Sequence, residues 1–526
     1  MSPISRRPPW KLLLVALPLC FYLAFELGYS SMYHIFSTNN YHRSLETLKQ
    51  IKSYVPSYQN FEDDVPVPSQ LFNKSSDFPN NSSVYYQSLA NQPKQLDWQP
   101  VSTSKDKFSV YSAYSYDSEK VIIISTARTN TNESITCVFH YKSDNEIWES
   151  TEGRIENMDE NWGLNYTGAF VHCRLPSKSA KNLPLPYSVS VIAGDFNKDN
   201  DKEPTLPTIL GNVLKIKYTS LDDVLDPPFN FSVCVLPAYN YNEVLYFLEW
   251  MEYYKLMGVQ HFTLYNVSIG PSTSCILRHL MEDSKMNDSQ VKVVVHPWKK
   301  FPIKSTAEIR ASACAECGLS PGGNDCLYRH KGLAKYMSLV DFDEYIVPRT
   351  AGNFEEMISF LDAVNTSIKV GEYSFHNGFY PRARANDKFA KNLCEEFRIR
   401  KDFFTYKVCK QLMTVKKVAR QEELLPYHQR TKYFVRPEAA IEIGNHHVIK
   451  LKLGYKTLVT PQEIAFLHHY RKNNAHWTLP DNAVLVPDRM PKNLAVELAK
   501  NTARQVDKFI KKCELDFDTV FSQNDK

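Results

Sequence analysis

The segment YMSLVDFDEYIVPR, residues 336–349, places Asp341, Asp343 and Glu344 directly after an apolar run that is typical of a buried strand. In an extended segment, residues two apart point to the same side, so Asp341 and Asp343 can converge on one point. Two converging carboxylates suit a hard divalent cation such as Mg²⁺ or Mn²⁺, which prefers oxygen ligands and keeps positions for water and phosphate. The segment is therefore a candidate metal site for chemistry on a diphosphate.

The tripeptide Asp-Phe-Asp occurs a second time, at Asp516 to Asp518, in a different context. This copy follows QVDKFIKKCEL, whose basic residues and apolar spacing are typical of a helix. Open α/β sheets bind ligands beyond the carboxyl ends of their strands, so only the first copy has the expected position. We interpret the second copy as a solvated tail. The alternative that the first copy merely ends a strand in water stays open.

Strand and helix patterns alternate ahead of the first copy. FSVCVLPAYN, HFTLYNVS and VKVVVHPW are typical of strands, whereas EVLYFLEWMEYYKLMG, ended by Gly258, and SCILRHLMED are typical of helices. This alternation predicts a doubly wound α/β sheet within residues 226–513. Residues 105–222 instead show short strand patterns such as KVIIISTAR and SITCVFHYK between polar turns, which predict a small β-sandwich.

The composition is that of a globular protein, with 526 residues, 43% hydrophobic and 23% charged. This length exceeds one ordinary core and predicts two folded domains plus other segments. The net charge of +4 lies in no block of like charge, which argues against a nucleic-acid partner.

An uncharged apolar run at residues 12–25 follows three basic residues, a pattern that predicts a cytosolic N-terminus and a lumenal remainder. The strict run is shorter than the roughly 20 residues that a bilayer requires, but the apolar character continues beyond it. A cleaved signal peptide is the alternative to an uncleaved anchor. We predict a cytosolic tail at 1–11, a signal anchor at 12–33 and a stem at 34–104.

The cysteines and glycosylation sequons fit an oxidising lumen. Of 11 cysteines, Cys20 lies in the predicted anchor, which leaves an even ten that could pair completely. Cys314 and Cys317 form a lone C-x-x-C, which we interpret as part of a disulfide-rich insert rather than as a zinc site. Asn-x-Ser/Thr sequons occur at Asn73, Asn80, Asn81, Asn132, Asn165, Asn230, Asn266, Asn287 and Asn365.

Four ordered blocks resemble the family 92 glycosyltransferases. The blocks are FSVCVLPAYNYNEVLYFLEWMEYYKLMGVQHFTLYN, NDCLYRHKGLAKYMSLVDFDEYIVP, KYFVRPEAAIEIGNHHV and LHHYR, within residues 226–513. The resemblance implies a lumenal type II membrane protein of the GT-A class. It also implies an inverting, metal-dependent transfer from a UDP-sugar, with galactose as the best-attested donor sugar.

The resemblance assigns site residues by position. Asp341 and Asp343 match the family's metal-binding Asp-x-Asp, and His469 matches the histidine of its HYR block as a third metal ligand. His468 is the adjacent alternative, and one of these two histidines could be a packed core residue instead. Tyr239 and Asn240, in the loop after the first strand, are implied nucleotide contacts together with Asp341 and Asp325. Two alternatives stay open, namely that Asp325 pairs with Arg329 and that Glu243 caps the following helix.

An inverting transfer needs a general base that takes the proton of the acceptor hydroxyl. Glu396, in CEEFRIR, lies downstream of Asp343 and matches a family block, so Glu396 and Asp343 are the predicted catalytic residues. The alternatives are Glu395, Glu372 and Glu438 as the base, or an ion pair of Glu396 with Arg398 or Arg400.

We therefore expect a Golgi membrane enzyme that transfers galactose from UDP-galactose, in β linkage, to a glycan on a glycoprotein, for example to fucose or galactose of an N-glycan. Mn²⁺ or Mg²⁺ is the expected cofactor, and the β-rich domain is expected to help hold the acceptor. The rival hypotheses are a lumenal lectin-like protein without catalysis and a secreted, disulfide-rich scaffolding protein. Whether the protein is a monomer or a homodimer stays open.

Overall fold

The computed structural model describes residues 97–141, 147–176, 184–194, 211–286, 290–298, 311–383, 388–472 and 483–522. All of them belong to one compact unit, Asn81–Lys526. The predicted cytosolic tail, the predicted anchor and the stem up to residue 96 lie outside the described residues. No helix within the described ranges combines the length and the apolarity needed to cross a membrane.

The described residues between 99 and 217 form a single closed sheet. Its strands are β1 (Gln99–Pro100), β2 (Ser109–Ser115), β3 (Lys120–Arg128), β4 (Ile135–Tyr141), β5 (Ile147–Asn157), β6 (Tyr166–Arg174), β7 (Ser188–Ala193) and β8 (Leu214–Lys217). Their order is β1-β2-β3-β6-β5-β4-β7-β8, and β8 also pairs with β2, with Ala113 opposite Ile216. The predicted β-sandwich is therefore wrong, because alternation along a strand cannot distinguish two facing sheets from opposite walls of one barrel.

Strand β3 of this barrel is buried on both of its faces. Val121 and Ile123 pack inside the barrel, whereas Ile122 and Ile124 pack outward against side chains of the later α/β segment, among them Trp298 and Tyr328. A strand buried on both faces has a continuous apolar sequence, which explains the run VIII in KVIIISTAR. The outer face of the barrel and the α/β segment therefore share one hydrophobic cluster.

The remainder of the described chain is a mixed α/β structure, which confirms the predicted class. The strands are β9 (Phe229–Tyr241), β10 (Val259–Ile269), β11 (Lys292–Pro297), β12 (Ala334–Leu339), β13 (Glu344–Pro348), β14 (Lys369–Phe375), β15 (Asn377–Pro381), β16 (Ala419–Gln421), β17 (Lys432–Val435), β18 (Ala440–Ile443), β19 (Val448–Leu451), β20 (Tyr455–Val459), β21 (Ala465–Arg471) and β22 (Leu485–Pro487).

The helices alternate with these strands. They are α1 (Leu221–Leu225), α2 (Val244–Leu256), α3 (Pro271–Asp283), α4 (Ala311–His330), α5 (Phe354–Val364), α6 (Lys388–Ile399), α7 (Phe403–Cys409), α8 (Met413–Lys416), α9 (Lys492–Lys512) and α10 (Phe517–Ser522), with a 3₁₀ turn at Pro437–Ala439. Gly258 follows α2 with a φ of 95°, a conformation that costs glycine little, so the predicted end of this helix is confirmed.

The central sheet has the order β11-β10-β9-β12-β17-β14-β20. Strands β11, β10, β9 and β12 are parallel, and β17 is antiparallel to β12. The chain moves outward from β9 to β11 and then returns to the other side of β9 with β12. The strand order therefore reverses between β9 and β12, and the crevice beyond the carboxyl ends of such a pair is where open α/β sheets bind ligands.

A small three-stranded sheet, in the order β13-β21-β15, continues from the central sheet. Strand β13 begins at Glu344, immediately after the first Asp-Phe-Asp copy, and pairs with β21, which contains both histidines of the LHHYR block. The second copy begins the short helix α10, where Asp516 and Asp518 are exposed. The two copies thus occupy different structural contexts.

Eight of the ten predicted lumenal cysteines form disulfides in the structure. The pairs are Cys137–Cys173, Cys234–Cys326, Cys275–Cys513 and Cys394–Cys409. The side chains of Cys314 and Cys317 lie outside the described set, although helix α4 runs through both positions.

We expect a fragment that begins at residue 226, and so lacks the barrel, not to fold on its own. Its folding would expose the apolar surface that the outer face of the barrel covers, including Trp298 and Tyr328. Near-UV circular dichroism and sedimentation would compare this fragment with one that begins at residue 97. A monomeric short fragment with cooperative thermal unfolding would contradict the shared core.

Candidate active site

An open cleft with a volume of about 360 Å³ lies where β9 and β12 end. Its walls come from the end of β9, the start of α2, the Asp-Phe-Asp segment and three later loops. The lining residues are Val235–Glu243, Tyr246, Asp341, Phe342, Asp343, Arg382, Met413, Arg471 and Lys472. The predicted sheet edge is therefore a concave surface that carries both acidic and basic side chains.

Tyr239 and Asn240, the predicted nucleotide contacts, lie in this cleft. The side chain of Tyr239 is 71% exposed. Asn240 has a φ of 50°, a left-handed conformation that asparagine tolerates better than most residues, and its N–H donates to Ser268 Oγ at 2.7 Å. Both residues lie at the end of β9 and not, as the sequence had predicted, in a loop after it, and Tyr239 is largely exposed at the cleft.

Glu243 lies at the first turn of α2, but its carboxylate makes no helix-capping hydrogen bond, so the capping alternative is wrong. The carboxylate instead pairs with Arg382 at 3.4 Å and with Lys472. Arg382 also lies over the ring of Tyr246, with its guanidinium carbon 4.8 Å from the ring centre. These contacts orient two cations at the rim of the cleft.

The three carboxylates of the DFDE segment differ in exposure. The side chains of Asp341 and Asp343 are 47% and 32% exposed and face the cleft. Glu344 is buried, and its Oε2 accepts the N–H of Asp341 at 2.9 Å. Glu344 therefore fixes the turn that presents the two aspartates.

The pairing of β13 with β21 decides which histidine joins the site. Glu344 lies opposite His469, whose Nε2 is 3.7 Å from Asp343 Oδ2 and whose Nδ1 is 3.4 Å from Glu344 Oε1. Because side chains alternate along a strand, His468 points away and lies 3.2 Å from the hydroxyl of Tyr380. Burial lowers the pKa of His468 to about 3, so it is a neutral core histidine.

The residues that meet here fit a divalent cation. Neither ring nitrogen of His469 has a hydrogen-bond partner although both are buried, and buried polar atoms normally have one. Burial alone would raise the pKa of Asp343, but His469, Arg471 and Arg382 lower it below its ordinary value, so the carboxylate is ionised at neutral pH. Two carboxylates and one imidazole form a suitable set of donors for Mn²⁺ or Mg²⁺.

Lys432 is a site residue that the sequence reading missed. Its ammonium is fully buried and lies 3.1 Å from Glu344 Oε2 and 3.6 Å from Asp341 Oδ2. Burial alone would lower the pKa of Lys432, but the two carboxylates raise it. The sequence signal was that Lys432 begins KYFVRPEAA, an apolar block that resembles the family. A lysine in a buried strand is almost never found without a charged partner, so a nearby carboxylate could have been predicted.

Arg382, Arg471 and Lys472 give the cleft a cationic side, and the sequence reading did not assign them either. Arg471 is the last residue of the LHHYR block and Lys472 follows it, so this block was the available sequence signal. Arg382 follows β15, which pairs with β21 in the small sheet, and only the fold brings it to the cleft.

The structure corrects the predicted role of Asp325. Its side chain is completely buried in α4, away from the cleft, and accepts the hydroxyls of Tyr114 and Tyr265 and the Nε–H of Arg329, each at 2.6 Å, together with the hydroxyl of Ser112. Because the oxygens of Asp325 are buried and already accept four hydrogen bonds from the protein, they cannot contact a nucleotide. The alternative of an ion pair with Arg329 is confirmed.

The predicted general base, Glu396, does not line the cleft either. It lies on α6 and pairs with Arg400 at 2.7 Å, which confirms the ion-pair alternative. The other candidate bases also lie elsewhere. Glu395 pairs with Arg398, Glu372 is buried beside Thr457 and the N–H of Val448, and Glu438 accepts the N–H of Gly332. Among the described residues, the carboxylates of the cleft are Glu243, Asp341 and Asp343.

Comparison with known proteins gives a family match over most of the α/β segment. Residues 229–521, more than half of the chain, match the model for glycosyltransferase family 92. A beta-1,4-galactosyltransferase of Caenorhabditis elegans is 23% identical over 345 residues, which is 61% of this chain and 65% of that protein. A second C. elegans protein, described as a glycosyltransferase family 92 protein, is 23% identical over 155 residues, or 28% of either chain. The matched part is less than two thirds of each relative.

A likeness to solved structures is weak. The glucosyl-3-phosphoglycerate synthase from Mycobacterium tuberculosis, in complex with Mn²⁺, UDP and glucosyl-3-phosphoglycerate, is 11% identical. The match covers 55% of this chain and 81% of that chain, with a TM-score of 0.20.

We expect Asp325→Asn to lower the free energy of unfolding by about 3–5 kcal/mol at pH 7, because it removes one partner of a buried ion pair. Burial alone would raise the pKa of Asp325, but Arg329 and His296 lower it below its ordinary value. The stability contributed by the ionised group is therefore present above the unfolded pKa, about 4, and is lost in acid.

Urea unfolding from pH 7 down to pH 3 measures this effect, and the gap between the two proteins should narrow below pH 4. In the folded variant, the KM for a nucleotide-sugar donor should be unchanged. A raised donor KM with unchanged stability would instead support the nucleotide contact predicted from the sequence.

Proposed function

This chain belongs to glycosyltransferase family 92, and we propose that it transfers galactose from UDP-galactose, with inversion, to a sugar of a glycan on a glycoprotein. The observation that carries the proposal is that Asp341 and Asp343 line the cleft where the strand order reverses, and that His469 Nε2 lies 3.7 Å from Asp343 Oδ2. The name of the galactosyltransferase relative supports galactose as the donor sugar.

We propose that Asp341, Asp343 and His469 hold Mn²⁺ or Mg²⁺. A divalent ion bound there would neutralise the charge that develops on the departing diphosphate. His469 faces carboxylates with both ring nitrogens but makes no hydrogen bond, and Asp343 is ionised, which supports this set of ligands.

The cationic side of the cleft has a matching role in the proposal. Arg382, Arg471 and Lys472 would bind phosphate oxygens, since guanidinium and ammonium groups form strong charge-assisted hydrogen bonds to phosphate. Glu243 pairs with Arg382 and Lys472, so both cations are oriented before a donor arrives. Orientation in advance lowers the entropic cost of binding.

Tyr239 and Asn240 would contact the nucleotide in this proposal. Tyr239 is largely exposed, so a uracil base can stack on its ring, and Asn240 is exposed beside it at the same edge. The parallel order β11-β10-β9-β12 supports assignment to the GT-A class, because it places the end of β9 beside the Asp-x-Asp segment that follows β12.

We also propose that the protein is a Golgi type II membrane protein with a lumenal catalytic part. The four disulfides fit an oxidising compartment, and the sequon residues Asn132, Asn165 and Asn230 are exposed. Protein expressed in animal cells should therefore lose apparent mass after treatment with a glycosidase that removes N-glycans. An unchanged mass would argue against passage through the lumen.

A donor screen tests the activity directly. The fragment from residue 97, which retains the barrel, should transfer galactose from UDP-galactose to an N-glycan panel with Mn²⁺ present, and chelation should abolish transfer. Activity with a different UDP-sugar would overturn the galactose assignment. Glycan binding without any transfer would favour the lectin-like alternative.

Asp343→Ala should lower turnover in that assay by at least about 100-fold, because stabilisation of the leaving group by a metal is worth several kcal/mol. Asp518→Ala, in the exposed second Asp-Phe-Asp copy, is the matched control and should retain full activity. Equal thermal midpoints would show that both variants fold. Retained activity in the Asp343 variant would overturn the site.

A further inference from the structure

The turn between β5 and β6 of the barrel touches a loop of the α/β segment. Glu160 lies in this turn, and its Oε2 accepts the N–H of Asn445 at 2.8 Å. Asn445 belongs to the loop that joins β18 and β19. A residue of the barrel is therefore bonded directly to a loop of the candidate catalytic part.

The contact continues inward from Asn445 to the carboxylates. Lys432 Nζ donates to Asn445 Oδ1 at 2.9 Å and lies 3.1 Å from Glu344 and 3.6 Å from Asp341. Asn445 thus connects Glu160, through its backbone, with the buried ammonium of Lys432, through its side chain.

The last steps lead to the proposed ligands. Glu344 Oε2, which lies beside Lys432, accepts the N–H of Asp341, and Glu344 Oε1 lies 3.4 Å from His469. Each of these groups is fixed by its neighbour, because a buried lysine and a buried glutamate can be accommodated only as partners. The orientation of Lys432 therefore influences where Asp341 and His469 lie.

The turn that carries Glu160 is held in a defined shape. Trp162 and Gly163 have φ values of 50° and 68°, and the N–H of Asp159 donates to Glu442 Oε1 at 2.7 Å. Met158, at its start, is completely buried. At its other end, the carbonyl of Leu164 accepts the hydroxyl of Thr129 at 2.6 Å. A turn that is fixed at both ends can hold a partner in place.

We propose that Glu160 is a positioning residue for the metal site and acts on Asp341 and His469 through Asn445 and Lys432. The barrel is then part of the catalytic unit, because one of its side chains sets the geometry of the carboxylates. The metal in this inference comes from the proposed function, whereas the hydrogen bonds are observed in the structure.

Two substitutions of Glu160 and one control separate this role from a general effect of the interface. Glu160→Ala removes the acceptor, whereas Glu160→Gln keeps an oxygen that can accept the N–H of Asn445. Glu156→Ala is the control, since Glu156, near the end of β5, pairs with Lys450 of the α/β segment at 3.4 Å and lies outside the chain of bonds.

Mn²⁺ alone is the probe, titrated by calorimetry into the fragment from residue 97. We expect Glu160→Ala to weaken Mn²⁺ binding by about 10-fold, the lower end of the losses seen when outer-shell partners of ligands are removed. Glu160→Gln and Glu156→Ala should bind as the unchanged protein does. Equal affinity for the alanine variant, or an equal loss in the Glu156 control, would overturn the proposal.

If the unchanged protein binds no Mn²⁺, that result counts against the proposed function. The chain of hydrogen bonds can then still be tested by a measurement that needs no metal. Hydrogen exchange of a peptide containing Asp341 reports on the N–H that Glu344 accepts. This exchange should be faster in Glu160→Ala and unchanged in Glu160→Gln and Glu156→Ala. Unchanged exchange in the alanine variant would overturn the positioning role.

Discussion

Glu344 and Lys432 form a buried ion pair, with 1% and 0% of their side chains exposed. Each charge taken out of water costs several kcal/mol, and the cost is offset only while the partner stays close. Glu344 begins β13 of the small sheet, and Lys432 begins β17 of the central sheet. The pair therefore fixes one sheet against the other. Since Glu344 also accepts the N–H of Asp341 and faces His469, the same constraint holds the cleft aspartates and the histidine together.

The sequence was sufficient where a local pattern determines a position. A buried strand followed by Asp-x-Asp placed Asp341 and Asp343 at the edge of the sheet, and the second copy of the tripeptide begins a helix. The choice between His468 and His469 needed one further fact, the register of β21 on β13. The sequence predicts that His468 and His469 point to opposite faces of a strand. Only the pairing of β21 with β13 shows which of the two faces the carboxylates.

The sequence was insufficient where the role of a residue depends on its burial or on a partner that is distant in the sequence. Asp325 accepts hydrogen bonds from Ser112 and Tyr114, which are more than two hundred residues away in the sequence. No local sequence pattern can therefore predict them. Glu396 has the expected order along the chain, yet it lies on the outer side of α6, where Arg400 neutralises it. Closure of the barrel likewise depends on β2 meeting β8 across the whole segment.

Helix α4 packs closely against both the barrel and a strand that lines the cleft. A Cβ atom on Gly168, in β6, would lie 2.8 Å from Pro321 of the helix, and one on Gly322 would lie 3.3 Å from Pro237, which lines the cleft. The helix is thus in close contact with the barrel on one side and with the predicted nucleotide loop on the other. A shift of the barrel would reach the cleft through Pro237 and, by way of Asn445, through Lys432. Because packed interiors transmit small displacements, the barrel constrains both walls of the site.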